Sequence, residues 1–333
     1  MEHIRRIQNF EQIKILADPR RLAILRLLMA RPYTLSQMGE VLGLHPAKIR
    51  HHLKKLEAAG LVELVMTRVV RGFVEKYYQA RARAFSLQEI ILPDSNVSNT
   101  FVALGSHDLA LELLAEQLTG PGRSAQVELL TVPVGSLEGL IALRQGAAQM
   151  AGCHLLDVES GEYNLPYVRH FFPDRSMTLI TLAHREQGLL VAPGNPLRIR
   201  KVEDLERQDV RFVNRNKGSG TRLWLDRKLD QLDMAPESVR GYDHEVRTHT
   251  RAAERIAQGQ ADVGLGLRAA AQQHNLDFIP LYQERYDLVL PNEQLENPHL
   301  SPLLDRLLSV KFRSIVHDLG GYDTTHTGEL LNP

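Results

Sequence analysis

Four times between residues 100 and 267 a short apolar run ends in a small or hydroxyl-bearing turn and passes into an amphipathic stretch. "TFVALGSHDLALELLAEQL" breaks at Gly105-Ser106-His107-Asp108, and "VELLTVPVGSLEGLIALRQG" breaks at Val134-Gly135-Ser136. "VRFVNRNKGSGTRLWLDRKL" breaks at Lys217-Gly218-Ser219-Gly220-Thr221-Arg222. "GYDHEVRTHTRAAERIAQGQADVGLG" offers Thr248-His249-Thr250 before a helical stretch and a short apolar strand after it. Strands alternating with helices build a largely parallel sheet, so this part of the chain is restricted to the α/β class.

Each junction ends at a helix start, where backbone N–H groups are unpaired and the helix carries a partial positive charge. Ser, Thr and Asp are favoured there as caps whatever the function, so one junction alone means little. Several together, in a fold whose strand ends converge, point to an anion site. The candidate ligand residues are Ser106, His107, Gly135, Ser136, Lys217, Gly218, Ser219, Gly220, Thr221, Arg222, Thr248 and His249. Ser106, Ser136, Ser219 and Thr221 are the expected hydroxyl donors, and Gly218 and Gly220 are expected to let the backbone approach the ligand. Arg222 either adds charge or lies on the surface of the first helical turn. His107 and His249 either donate to the ligand or serve as caps or surface residues. Asp108 is expected to cap its helix, because a carboxylate facing an anion repels it. Tyr163 either closes the cleft or packs as an aromatic side chain.

Nucleotide chemistry is not indicated. The lysine precedes the glycines at residues 217–220, and the chain holds no Gly-Lys-Thr or Gly-Lys-Ser of a phosphate loop and no third glycine of a dinucleotide turn. No Gly-x-Ser-x-Gly elbow or His-Glu-x-x-His helix occurs. Cys153 and His154 are neighbours in a strand and point to opposite faces, which argues against a thiolate pair. No catalytic residue, metal site or cofactor is expected.

The first ninety residues read differently. "FEQIKILADPRRLAILRLLMA" has helical spacing on either side of Asp18-Pro19. Thr34 and Gln37 form a capping box before a short helix ended by Gly43. Pro46 opens the next helix, Ile49, Leu53 and Leu56 form its buried face, and Gly60 stops it. Helix, tight turn and helix is the helix-turn-helix order. "LVELVMTRVVRGFVEKYYQA" then alternates around Arg71-Gly72 and reads as a hairpin, or wing. This geometry turns Lys48, Arg50, His51, His52, Lys54 and Lys55 outward on the second helix.

Bulk properties agree with two parts. Among 333 residues the net charge is zero, yet residues 1–90 hold 16 Lys and Arg against 8 Asp and Glu. That surplus of eight positive charges is balanced by eight negative ones in the remainder, so only the first part is suited to a polyanion. No run of about 18 apolar residues occurs, and the N-terminal segment is charged throughout and lacks a signal-peptide core. A cytoplasmic location without membrane contact is expected. A single cysteine excludes an internal disulfide and a multi-cysteine metal site.

"ADPRRLAILRLL", "TLSQMGEVLGLHPAKIRHHLKKLEAAGLVE" and the hairpin resemble the ArsR-type winged helix-turn-helix family over about residues 8–80. The paired cysteines of its metal-sensing members are absent here. The resemblance implies binding of double-stranded operator DNA as a homodimer or higher homo-oligomer. His45, Lys48, Arg50, His51 and Lys54 are the candidates on the recognition helix, and Arg68 and Arg71 on the wing. "GSHDLALELLAEQL", "PVGSLEGLIALRQGAAQMAGCHLLD", "LLVAPGNP", "VNRNKGSGTRLWLD" and "ERIAQGQADVGLGLRAAA" resemble, in that order, the periplasmic-binding-protein-like domain in its cytoplasmic form. It implies a two-lobed α/β fold of type II with the ligand between the lobes, commonly molybdate or tungstate, in some relatives another small anion or a pterin-type molecule.

The expectation is a one-component transcriptional regulator: a mainly α winged helix-turn-helix domain at 1–91, a linker at 92–100, and an α/β sensor at 101–333. Lobe I covers about 101–185 and 286–333, and lobe II about 186–285. A pterin or other organic anion is the alternative ligand, and a non-regulatory module associated with molybdenum cofactor is the alternative of another class.

Overall fold

The computed structural model describes residues 2–7, 10–70, 72–87, 100–119, 127–298 and 300–333. The chain divides into two compact units, Met1–Ile91 and Leu92–Pro333. The 92–99 part of the expected linker lies outside the described residues.

Local capping chemistry sets the elements of the first unit. β1 (Glu2–Ile7) precedes α1 (Phe10–Leu16). Asp18 caps α2 (Pro19–Ala30), accepting from the N–H groups of Arg20 and Arg21, with Pro19 at the first helical position. Thr34 and Gln37 close a reciprocal box at the start of α3 (Leu35–Leu42), and left-handed Gly43 ends it. α4 (Pro46–Ala58) buries Ile49, Leu53 and Leu56 in one core with Ile24, Leu25 and Leu28 of α2. Each such side chain contributes about 1.5–3 kcal/mol when fully buried. β2 (Val62–Val70) and β3 (Phe73–Ala80) form the antiparallel wing, and β4 (Ala82–Leu87) runs parallel to β1.

The outer face of α4 carries Lys48, Arg50, His51, Lys54 and Lys55. His52, expected with them, is instead buried. It follows Ile49 by three residues and precedes Leu56 by four, so it shares their stripe. Its ring sits 3.9 Å from the Asp18 carboxylate.

In the second unit β5 (Thr100–Gly105), α5 (Leu109–Thr119), β6 (Glu128–Pro133), α6 (Ser136–Arg144) and β7 (Met150–Cys153) open a parallel array with β5 in its middle. After α7 (Leu165–Phe171) comes the 15-residue strand β8 (Met177–Val191). A second array follows: β9 (Phe212–Arg215), α8 (Gly220–Gln231), β10 (Glu245–Val246), α9 (His249–Ala257) and β11 (Val263–Leu267), then α10 (Arg268–Gln273). β12 (Asp277–Pro291), again 15 residues, returns to the first array. α11 (Ser301–Leu308) and α12 (Val310–Asp318) pack there, and β13 (Tyr322–Asp323) and β14 (Leu330–Leu331) add to β8.

The sheet order is β10-β9-β11-β8-β12-β7-β5-β6. β8 and β12 pair antiparallel along their length and belong to both arrays. β11 binds the end of β8 from Gln187 to Val191, and β7 binds β12 from Asp287 to Val289. Two α/β lobes are thus joined by two through-running strands, with the strand ends of both arrays meeting in the middle. Among the described residues no helix is long and apolar enough to cross a membrane.

Candidate functional site

Apart from Thr178 and Thr181, β8 is apolar except at its centre, where it reads His184-Arg185-Glu186-Gln187. Alternation puts Arg185 and Gln187 on one face, both buried, with His184 and Glu186 on the other. The register of β12 places Glu284 opposite Arg185 and Tyr282 opposite Gln187. Strand ends and helix starts supply the rest: Ser106, His107 and Asp108 after β5, Ser136 at the start of α6, and His154 after β7. From the second lobe come Arg215 at the end of β9, Thr221 in α8 and His249 at the start of α9. Apart from Tyr282, all of these are buried residues. The buried hydroxyl oxygen of Tyr282 has no partner.

The first lobe and the two strands form a connected network. Arg185 donates to Glu284 at 2.7 Å and to Asp108 at 2.7 Å, with its guanidinium over the Tyr286 ring. Asp108 also caps α5 through the Leu111 N–H and accepts from the Tyr322 hydroxyl. Gln187 donates to Thr221 and to Glu284. The His154 ring lies between Glu284 and Ser106, 2.8 Å from each, and the backbone N–H of His154 donates to the Ser136 hydroxyl. Burial alone would raise the Glu284 carboxyl, but His154 and Arg185 outweigh it and bring it down to about 2. Burial, opposed by Glu284, lowers the His154 imidazole.

The second lobe is less satisfied. Arg215 donates to the Arg247 carbonyl at 2.8 Å, while its Nε and Nη1 find no partner in the protein. Burial, reinforced by the charge of Arg185, pushes this guanidinium down to about 9. Both ring nitrogens of His249 and the carbonyl oxygen of the Gln187 side chain are unpartnered as well. Burial and the nearby Arg215 and Arg185 hold His249 well below its ordinary range, so it is neutral at pH 7. Tyr282 stacks on Trp224 with ring centroids 4.2 Å apart.

Several sequence candidates are occupied elsewhere. Arg222, expected either to add charge or to lie on the surface, is buried and donates to Asp226, Glu245 and the Arg215 carbonyl, and its guanidinium covers the Tyr242 ring. Ser219 caps α8 and donates to the Asn216 carbonyl, so its one donor is engaged. Thr248 caps α9 through the Arg251 N–H, and Lys217 is exposed. His107 accepts from the His249 N–H across the lobes and faces Glu112 with its other nitrogen.

The two glycines allow close approach between the lobes. A Cβ on Gly218, whose φ is +82°, would meet the Glu138 carboxylate at 2.2 Å. A Cβ on Gly220 would meet the His154 carbonyl oxygen at 2.3 Å. Asn216 donates to the Val134 carbonyl, and the Leu137 N–H to that of Gly218, so the turn at Gly135-Ser136 touches the one at Gly218. Tyr163 donates to the Gln283 carbonyl.

Sequence reasoning missed His154, Arg185, Gln187, Arg215, Tyr282 and Glu284. The available signal was polarity in the wrong place: His-Arg-Glu-Gln in an apolar 15-residue strand, and Gln-Glu-Arg in its partner. Among the described residues no group of three or more His, Cys, Asp or Glu side chains is placed to hold a metal ion.

In the first unit a groove of about 1020 Å³ runs between α4 and the wing, with Arg50, Lys54 and Lys76 among its lining residues. His45 caps α4 by accepting from the Ala47 N–H, and Arg68 is exposed on β2. Arg71 lies outside the described residues.

The family model for the PBP superfamily domain matches residues 121–308, more than half of the chain. This chain belongs to the PBP superfamily. A second model, for bacterial regulatory proteins of the arsR family, matches residues 18–63, so an ArsR-type DNA-binding domain is fused to the PBP domain. The uncharacterized protein YvgK of Bacillus subtilis (strain 168) is 38% identical over 232 residues, 69% of this chain and 73% of that protein. An uncharacterized protein in the 5′ region of a ferredoxin 2Fe-2S gene of Clostridium pasteurianum is 37% identical over 110 residues, 33% of this chain and 97% of its own. A putative phosphate ABC transporter substrate-binding protein with bound phosphate from Clostridium perfringens shares 14% identity with a TM-score of 0.49, covering 69% of this chain and 99% of that one. Fusion to an ArsR-type module makes the PBP domain the ligand-responsive part of a regulator.

Proposed function

We propose that the protein is a transcription regulator whose affinity for operator DNA is set by a small anion held between the lobes of its PBP domain. Arg215 carries this reading: a guanidinium buried with two nitrogens unpartnered. A buried charge without a partner costs several kcal/mol, and an anion offsets that cost. His249 and Tyr282 add donors, as do the hydroxyls of Ser136 and Thr221. The ligand site thus rests on a charged fork rather than on uncharged hydroxyls alone. Molybdate and tungstate are the ligands that the family resemblance implies: Arg215 meets the charge of either, but neither brings a donor for the Gln187 carbonyl oxygen. A second reading, an organic anion with donors of its own, is favoured by the unpartnered carbonyl oxygen of Gln187.

The anion favours the state in which the turns at Gly135 and Gly218 meet, and a hundredfold preference for one state is about 2.7 kcal/mol. On the DNA side, Lys48, Arg50, His51 and Lys54 enter the major groove, within reach of base edges and the flanking phosphates, and Arg68 and Arg71 serve the phosphates or the minor groove, in a cytoplasmic homodimer. The ArsR-type domain disfavours a non-regulatory cofactor module.

The test is equilibrium binding of molybdate, tungstate, sulfate and phosphate, followed by the fluorescence of Trp224, the single tryptophan. Arg215→Met is expected to abolish the response and to uncouple anion from operator affinity in a gel shift. Undiminished anion affinity in Arg215→Met refutes the assignment.

A further inference from the structure

The polarity of the cleft says what kind of anion it takes. Glu284 accepts from Arg185 and Gln187 through one oxygen and meets His154 Nδ1 at 2.8 Å through the other. A carboxylate can only accept, so Nδ1 of His154 carries a proton, and because burial holds this imidazole neutral, Nε2 is a lone pair. Ser106, 2.8 Å from Nε2, must therefore donate its hydroxyl proton to His154. Its oxygen keeps lone pairs that can accept. The same carboxylate fixes the amide of Gln187: the NH2 end faces Glu284 and Thr221, and the carbonyl end is left buried and unpartnered. Neutral His249 offers one acceptor nitrogen beside its one donor. Arg215 and Tyr282 supply donors to a negative group, while Ser106 and Gln187 ask for a donor in return.

Resting on the reading of the cleft as an anion site, we propose that its ligand is an anion that carries its own hydrogen-bond donor, and that anions without an O–H or N–H are discriminated against. A fully deprotonated tetrahedral oxyanion has acceptors only. Bound here, it would set lone pairs against Gln187 and Ser106 and leave a buried carbonyl oxygen unsatisfied. Sites built around a particular hydrogen-bond partner reject a ligand lacking it far more strongly than apolar pockets reject a misfit. The donor is either the proton of an inorganic hydrogen oxyanion or a hydroxyl on an organic acid.

The experiment measures affinities of the full chain at pH 7 by Trp224 fluorescence and calorimetry for matched pairs. Phosphate and arsenate, which keep an O–H, are set against sulfate, selenate, molybdate and tungstate. Lactate is set against its O-methyl ether. The expected result is that the donor-bearing member of at least one pair binds about tenfold or more tighter, the inorganic or the hydroxy-acid arm identifying the source. Gln187→Met and Ser106→Ala are expected to shrink that ratio at least threefold while binding still requires Arg215. Should either variant fail to fold by its melting curve, the wild-type ratios decide. Equal or tighter binding of the donor-free members overturns the proposal and leaves the anion site standing. Ratios unchanged in both folded variants overturn the roles of Gln187 and Ser106. Binding of no anion overturns the reading of the cleft and this inference with it.

Discussion

Arg215 and Arg222 are seven residues apart and both buried, yet their substitution is expected to have opposite effects. A base whose folded pKa lies below its unfolded value destabilises the fold wherever it is charged, and the penalty fades as pH rises through the folded pKa. For Arg215 that value is about 9, so the ligand-free protein bears the full penalty at neutral pH. Arg215→Met is expected to raise the melting temperature of the ligand-free protein by a few degrees, about 2–4 °C per kcal/mol for a domain of this size. A lower melting temperature identifies Arg215 as a strut. Arg222 holds Asp226 and Glu245, so Arg222→Met is expected to lower the melting temperature and leave anion affinity within about twofold. A tenfold loss of affinity in that folded variant restores Arg222 to the ligand site. Glu284 has the acid's sign: the stability it contributes is present above its ordinary value of 4.5 and is lost as pH falls toward about 2.

At the scale of elements, the site depends on how closely α8 approaches the end of β7. Gly220 starts that helix and has no room for a Cβ, because the obstacle is the backbone oxygen of His154. Side chains can turn away, whereas this carbonyl is fixed by the strand ahead of it. Gly220→Ala is expected to part the lobes at this point and weaken anion binding at least tenfold, with the helical circular-dichroism signal preserved. Unchanged affinity would show that the ligand binds without this contact. The capping box of α3 is a more local device, and Thr34→Ala costs the first unit about 1 kcal/mol.

For the whole molecule, charge separates the two tasks. The positive surplus of residues 1–90 includes Arg50 and Lys54 on the exposed face of α4, and the acidic remainder suits DNA poorly. The logarithm of operator affinity is expected to fall linearly with the logarithm of salt concentration, by about 0.9 per neutralised phosphate. Replacing Arg50 and Lys54 with Gln should reduce that slope by about two, as read by fluorescence anisotropy across a salt series. An unaltered slope would remove α4 from the phosphate contacts.

The order of elements was legible because its signals are local. Asp18-Pro19, Thr34 with Gln37, Gly43 and Pro46 each act on backbone groups within four residues, and the strand-to-helix junctions identify themselves by composition. The same local signals say nothing of Glu245, 23 residues from Arg222, as its ion-pair partner. Arg185, His154 and Glu284 come together across as many as 130 residues, and no periodicity reports such a distance. Amino-acid order by itself determined the helix-turn-helix, the α/β alternation and the presence of helix starts suited to negative charge. Which side chains face the cleft, and which of them still lack a partner, was decided only by the pairing of β8 with β12 and the meeting of two lobes, because satisfaction of a buried polar group depends on everything packed around it.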